Sequence, residues 1–138
     1  MNTLCNLAKQ YGPLLGRLLL ANIFIVYGLK KIMGFAGTAG YMASKGLPLP
    51  EVLLVLTILI ELGGGLMILL GWQARWAALA IFLWLIPVTL IFHAYWDLEP
   101  AQMVEQQRHF MKNLAIMGGM IYIVAFGPGA FSLGKDKC

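Results

Sequence analysis

The sequence predicts an all-α integral membrane protein, a four-helix bundle threaded up-down-up-down with both termini on the same side. Three observations predict it. Of 138 residues, 60% are hydrophobic and only 12% charged, with a mean hydropathy of +0.79, so a soluble domain of this length could not cover its outside. Four apolar stretches are each long enough, at about 1.5 Å per residue, to cross a hydrocarbon core of about 30 Å. Glycine- and proline-rich or polar connectors separate them. The whole chain, 1–138, reads as one transmembrane domain with the lipid bilayer as its solvent.

The first span is expected over residues 11–33, with Pro13 in its opening turn, where a missing N–H costs nothing. Residues 1–10 are mildly polar and no small-residue cleavage site comes after them, so this helix is expected to stay in the mature protein. Gly34, Gly37 and Gly40 break the pattern, and the long connector 34–50 holds room for a short interfacial helix near 38–45. Pro48 and Pro50 stiffen the chain before a second span at 51–70, which Gly71 closes. The turn 71–75 is short, which makes the second and third helices antiparallel neighbours. The third span, 74–93, carries Pro87 inside it, a position for a kink. Residues 95–107 are the most polar of the chain and read as a solvated loop. A fourth span over 108–126 ends at Gly127-Pro128-Gly129.

Lys9, Arg75, Lys135 and Lys137 on one side face Lys31, Lys45 and Arg108 on the other, a small bias that places both termini in the cytoplasm. The net charge of +4 suits that bias and anionic headgroups. No basic aromatic run points to nucleic acid. Cys5 and Cys138 lie at opposite ends with no C-x-x-C, no metal-ligand spacing and no disulfide framework, which argues against a thiol relay. The methionines lack close clustering and read as apolar filler, so no metal site is expected.

Glu61 stands out because it interrupts the apolar run 52–70. A central acidic residue costs about 2.5–3.5 kcal/mol on insertion scales, so it should be protonated, paired with a cation or facing a wet cavity. Threading the four spans brings Lys31, His93, His109, Lys112 and Asn113 to the membrane side opposite the termini, with Glu61 about 15 Å deep from that side. His109 and Asn113 are spaced i, i+4 and His109 and Lys112 i, i+3, so the three share a helix face. These six residues form the candidate ligand pocket, with Glu61 as its proton relay. Gly64 and Gly65 come after Glu61 at i+3 and i+4, where they serve either a packing groove or a cavity. Arg17 and Arg108 are expected to snorkel to headgroups, and Arg75 to anchor the cytoplasmic side. Trp72, Trp96, Tyr95 and Tyr11 fall at span ends as an aromatic belt. The two histidines alone are a poor case for haem.

Several ordered motifs then carry a resemblance over nearly the full length. Arg17-Leu18-Leu19-Leu20 opens the first helix, followed by Tyr27-Gly28-Leu29-Lys30-Lys31, Gly34-Phe35 and Gly46-Leu47-Pro48. Glu61-Leu62-Gly63-Gly64, Gly71, Arg75, Phe92-His93, His109-Phe110-Met111-Lys112-Asn113-Leu114-Ala115 and Gly118-Gly119 continue the series. In these the chain resembles the DoxX family of small bacterial inner-membrane proteins. One departure lies in the tail, where Gly134 follows Leu133 and the first acid is Asp136. The resemblance implies a four-helix bundle of the bacterial inner membrane. It also implies a link to membrane redox complexes, since the family name derives from likeness to a subunit of a thiosulfate:quinone oxidoreductase.

Three function classes are open to such a chain. The leading expectation is a redox-associated subunit, with a redox-protein partner, whose pocket binds quinone or a similar small ligand; no independent catalytic motif is present. A second is a non-catalytic partner or assembly factor for an oxidoreductase or stress-response complex. A third is transport of a small solute or proton, for which four helices require a homo-oligomer.

Overall fold

The computed structural model describes residues 1–134. Lys135, Asp136, Lys137 and Cys138 lie outside the described residues, and with them two of the expected cytoplasmic charges, the displaced tail acid and the second thiol. Among the described residues the chain is helical, without strands, and four helices are long and apolar enough to cross a membrane. We label them with the short helix between the first two: α1 (Asn2–Met33), α2 (Phe35–Ser44), α3 (Pro50–Leu70), α4 (Ala74–Phe92) and α5 (Pro100–Phe126).

Two helices run further than expected, for one reason. Hydropathy marks only the part of a helix that lipid covers, whereas helix propensity continues into water. α1 starts at Asn2 rather than at 11, because Leu4, Leu7, Ala8, Lys9 and Gln10 are helix formers. Pro13 therefore lies inside the helix, not in its first turn, and leaves the Lys9 carbonyl without a helical donor. α5 likewise starts at Pro100, a good first helical residue, and the stretch 100–107 expected as loop is its polar first two turns. The connector expected to hold a helix near 38–45 holds α2, beginning three residues earlier.

Turn chemistry sets the other boundaries. Leu49 takes a left-handed conformation with φ 47° just before Pro50 starts α3. Gly71, with φ 67°, ends α3 in the left-handed region that only glycine adopts cheaply. A Cβ there would collide with Ser132, since Leu133 and Gly134 donate backbone hydrogen bonds to the carbonyls of Leu70 and Gly71 at 3.0 and 3.1 Å.

The core is narrow. Ala74, Ala77 and Ala78 of α4 let helices approach Ala21, Phe24, Ile68 and Met120, while Ala39 and Met42 seat α2 against Leu54 of α3. Large apolar side chains such as Leu19, Trp76 and Phe126 point outward, as lipid allows.

Arg17 corrects the sequence expectation. It does not snorkel; it is 2% exposed and its guanidinium binds four backbone carbonyls. Nη1 donates to Leu69 at 2.9 Å and to Ile68 at 3.4 Å, and Nη2 to Phe131 at 2.8 Å and Ala130 at 3.1 Å. The physical reason is the end of α3, whose last carbonyls lack helical donors and sit at the negative end of the helix dipole. Arg75 does the same for α5, donating from Nη1 to Val124 at 2.6 Å and Ala125 at 2.9 Å. Two arginines thus hold one end of the molecule together through backbone groups.

Candidate functional site

Midway along α3, the chain around Glu61 leaves α-helical geometry. Residues Leu59–Gly63 form a π-helical turn inside α3, with Glu61 at its centre. Such a turn inserts one residue and rotates the helix beyond it, a deformation frequent at functional sites. The glycines after it are contact points between helices. A Cβ on Gly64 would meet Ile81 of α4 at 3.0 Å, one on Gly65 would meet Phe24 of α1 at 3.1 Å, and one on Gly28 would meet Leu62 at 3.0 Å. Of the two roles open to Gly64 and Gly65, these contacts are packing.

Glu61 is buried and paired. Lys31 Nζ lies 2.7 Å from Glu61 Oε2, a charge-assisted hydrogen bond between α1 and α3. The lysine side chain is 25% exposed and the glutamate side chain 11%, so the pair sits at the inner limit of access rather than in a dry core.

Asn113 is also buried, and its Nδ2 donates to Thr89 Oγ1 at 3.0 Å, joining α5 to α4. Asn113→Leu is expected to lower stability by about 0.6 kcal/mol, and by no more than about 1.7, as interhelical side-chain bonds do in membranes. A double-mutant cycle with Thr89→Val in detergent unfolding measures that coupling.

His93 comes directly after the last residue of α4. Its Nδ1 is 2.9 Å from Gln106 Oε1 and, as N–H, donates to it. Its ring stacks on that of His109, with centroids 5.1 Å apart and planes at 25°. Burial holds the His93 imidazole below its ordinary pKa; the Gln106 hydrogen bond opposes this, while His109, Lys112 and Lys45 reinforce it. Lys112 Nζ reaches within 3.5 Å of His109 Nδ1 from an exposed position.

All six residues, Lys31, Glu61, His93, His109, Lys112 and Asn113, line one cavity of about 240 Å³, closed on its apolar side by Phe24 and Ile116. On the other face of the Lys31–Glu61 pair lies a second cavity of about 350 Å³, with apolar walls and Trp84 and Thr57 beside it. The ion pair, with Val88 and His93, borders both cavities. Among the described residues no cluster of three His, Cys, Asp or Glu side chains could hold a metal ion.

Sequence reasoning missed four contributors. Gln106 falls in the stretch expected as loop; once α5 extends to Pro100, its place three residues before His109 puts it on the same face. Thr89, four residues before His93, carried a similar signal. Trp84 and the π-helical turn carried none, because neither breaks the hydropathy pattern.

Comparison with known proteins adds a family. The DoxX family model matches residues 12–94. The inner membrane protein YqjF of Escherichia coli K12 is 40% identical over 127 residues, 92% of this chain and 92% of its own. The inner membrane protein YphA of the same organism is 34% identical over 128 residues, 93% of this chain and 91% of its own. A Bacillus subtilis protein named putative oxidoreductase CatD is 36% identical over 70 residues, 51% of each chain. No solved structure matches.

Proposed function

The chain belongs to the DoxX family, and from that premise we propose that it is a redox-associated subunit of the bacterial inner membrane that binds a quinone at the Lys31–Glu61 pair. The observation that carries this reading is the ion pair itself, set inside the membrane between a polar cavity and an apolar one. A quinone needs an apolar slot, a donor for its carbonyl oxygen and a route for protons. Lys31 supplies the donor. Glu61 relays the proton, and the polar cavity behind it supplies His109, His93 and Lys112 as further proton carriers, with Asn113 holding α5 in place. When a partner redox protein passes two electrons to a bound quinone, two protons must accompany them.

The two Escherichia coli relatives are named inner membrane proteins, which supports the location. The small excess of Lys9, Arg75, Lys135 and Lys137 on the side of the termini over Lys31, Lys45 and Arg108 on the other supports a cytoplasmic position for both termini, with the pocket open to the opposite side. The Bacillus subtilis relative's name supports the redox association.

Protein in lipid nanodiscs, titrated with a short-tailed benzoquinone, tests the proposal. Saturable binding is expected, weakened roughly tenfold by Lys31→Met, about the worth of the one hydrogen bond that Lys31 donates to the quinone carbonyl. No binding, together with a stoichiometric partner enzyme recovered in mild detergent, would replace this reading with that of an assembly factor. Proton or solute flux through proteoliposomes that depends on Glu61 would favour transport instead.

A further inference from the structure

The hydrogen bond between His93 and Gln106 links three cavities. The His93 ring lines both the polar cavity and the apolar one. Gln106 lines neither; it lines a third, of about 240 Å³, together with Lys45, Gln102 and Glu105. In a neutral imidazole one nitrogen carries the proton and the other keeps a lone pair, and the partner of each decides which is which. His93 Nδ1 has Gln106 Oε1 at 2.9 Å, an acceptor with no proton to give. Nε2 makes no hydrogen bond among the described residues, nor is it one of their enclosed unpartnered atoms, so it keeps accessible surface. The His109 ring supplies no competing partner, because it is stacked on His93 with planes at 25°, whereas imidazole N–H groups and lone pairs lie in the ring plane.

We propose that Gln106 is the positioning residue of this site: its Oε1 holds His93 as the Nδ1–H tautomer, so that Nε2 is the nitrogen that takes a proton from water and returns it to the pocket. The Nδ1 proton stays in place throughout, and only the N–H bond at Nε2 forms and breaks. The assignment rests on the quinone reading above for where the proton goes, and adds to it the atom that carries the proton and the residue that selects that atom. The surroundings favour a neutral ring at rest. His109 and Lys112 of α5, and Lys45 after α2, oppose positive charge on it. Lys31 of α1 and Glu61 of α3 border the same cavity but pair with each other, and Glu105 lines only the third cavity. Gln106 Oε1 accepts equally from the neutral Nδ1–H ring and from the imidazolium, since both donate from Nδ1, so it fixes the tautomer without opposing proton uptake at Nε2.

The test is ¹⁵N NMR of the full chain in nanodiscs, labelled at its two histidines, with no quinone present and with His93 assigned by its loss in His93→Gln. At alkaline pH the wild-type ring is expected to show a protonated Nδ1 and a bare Nε2, and on acidification Nε2 alone gains a proton. Gln106→Leu is expected to move the ratio of the two tautomers about fivefold toward Nε2–H, the worth of one hydrogen bond. It also removes the contact that favours the charged ring, so the His93 pKa is expected to fall further. Gln106→Glu keeps an acceptor, and is expected to retain Nδ1–H and to raise that pKa. A wild-type ring in the Nε2–H form, or a tautomer ratio unmoved in Gln106→Leu, overturns the proposal and makes the contact a plain tie between α4 and α5. Since these spectra need no quinone, failure of the wild-type protein to bind one overturns the quinone reading while the Nε2 assignment stands.

Discussion

Replacing Arg17 by leucine is expected to cost about 3 kcal/mol or more, since hydrogen bonds from a charged donor contribute about 1.5–3 kcal/mol each. Arg17 makes four, to Ile68, Leu69, Ala130 and Phe131. They are not additive, since one guanidinium makes them all, and the Ile68 carbonyl keeps a backbone donor in Gly71 N–H at 3.1 Å, but the loss leaves the carbonyls of Leu69, Ala130 and Phe131 without their arginine donor. Two of these carbonyls end α3, and two belong to the segment after α5, so the substitution unties three elements together. Arg17→Lys is expected to rescue only part, because an ammonium cannot span both pairs of carbonyls as the planar guanidinium does. Unfolding midpoints in detergent for the two variants provide the measurement. Equal midpoints for wild type and Arg17→Leu would mean that the four contacts are replaced by lipid or water at no cost.

Breaking the Lys31–Glu61 pair is expected to have an effect of similar size, and an asymmetric one. Removing one partner of a buried pair costs about 3–5 kcal/mol, because the remaining charge stays without compensation. Glu61 is the less accessible member and is anchored in the π-helical turn, so Lys31→Met, which abandons the carboxylate, should fall near that range. Glu61→Leu abandons a lysine that is 25% exposed and can turn toward headgroups, so its cost should be smaller, about 1–2 kcal/mol, after allowance for solvent screening. The exchanged pair, Lys31→Glu with Glu61→Lys, is expected to recover part of the loss of Lys31→Met. Thermal unfolding of the four proteins side by side checks the order. An exchanged protein less stable than either single variant would show that the π-helical turn requires a carboxylate at 61 for reasons other than the pair.

Much of the fold is legible in the sequence because a bilayer constrains sequence more tightly than water does. A helix that crosses it must be about twenty apolar residues long, and the four spans stand out by that rule. The rule is silent outside the hydrocarbon, which is why the first turns of α1 fall before the expected span and those of α5 read as a loop. The cost of a buried charge makes Glu61 conspicuous in the same way. It makes Arg17 less so, because a residue near a helix end has the alternative of snorkelling. Only the arrival of carbonyls from α3 and from the segment beyond α5 explains why Arg17 stays inside.

By itself the sequence determined the class, the four spans, the family and the one charge that needed an explanation, since each comes from composition, from periodicity or from motif order along a single chain. The tertiary structure decided which cation meets Glu61, the division of the space around that pair into a polar cavity and an apolar slot, and the meeting of His93 with Gln106. These depend on helix rotation. One extra residue in the turn at Leu59–Gly63 changes which face α3 presents, and nothing in a hydropathy pattern records it.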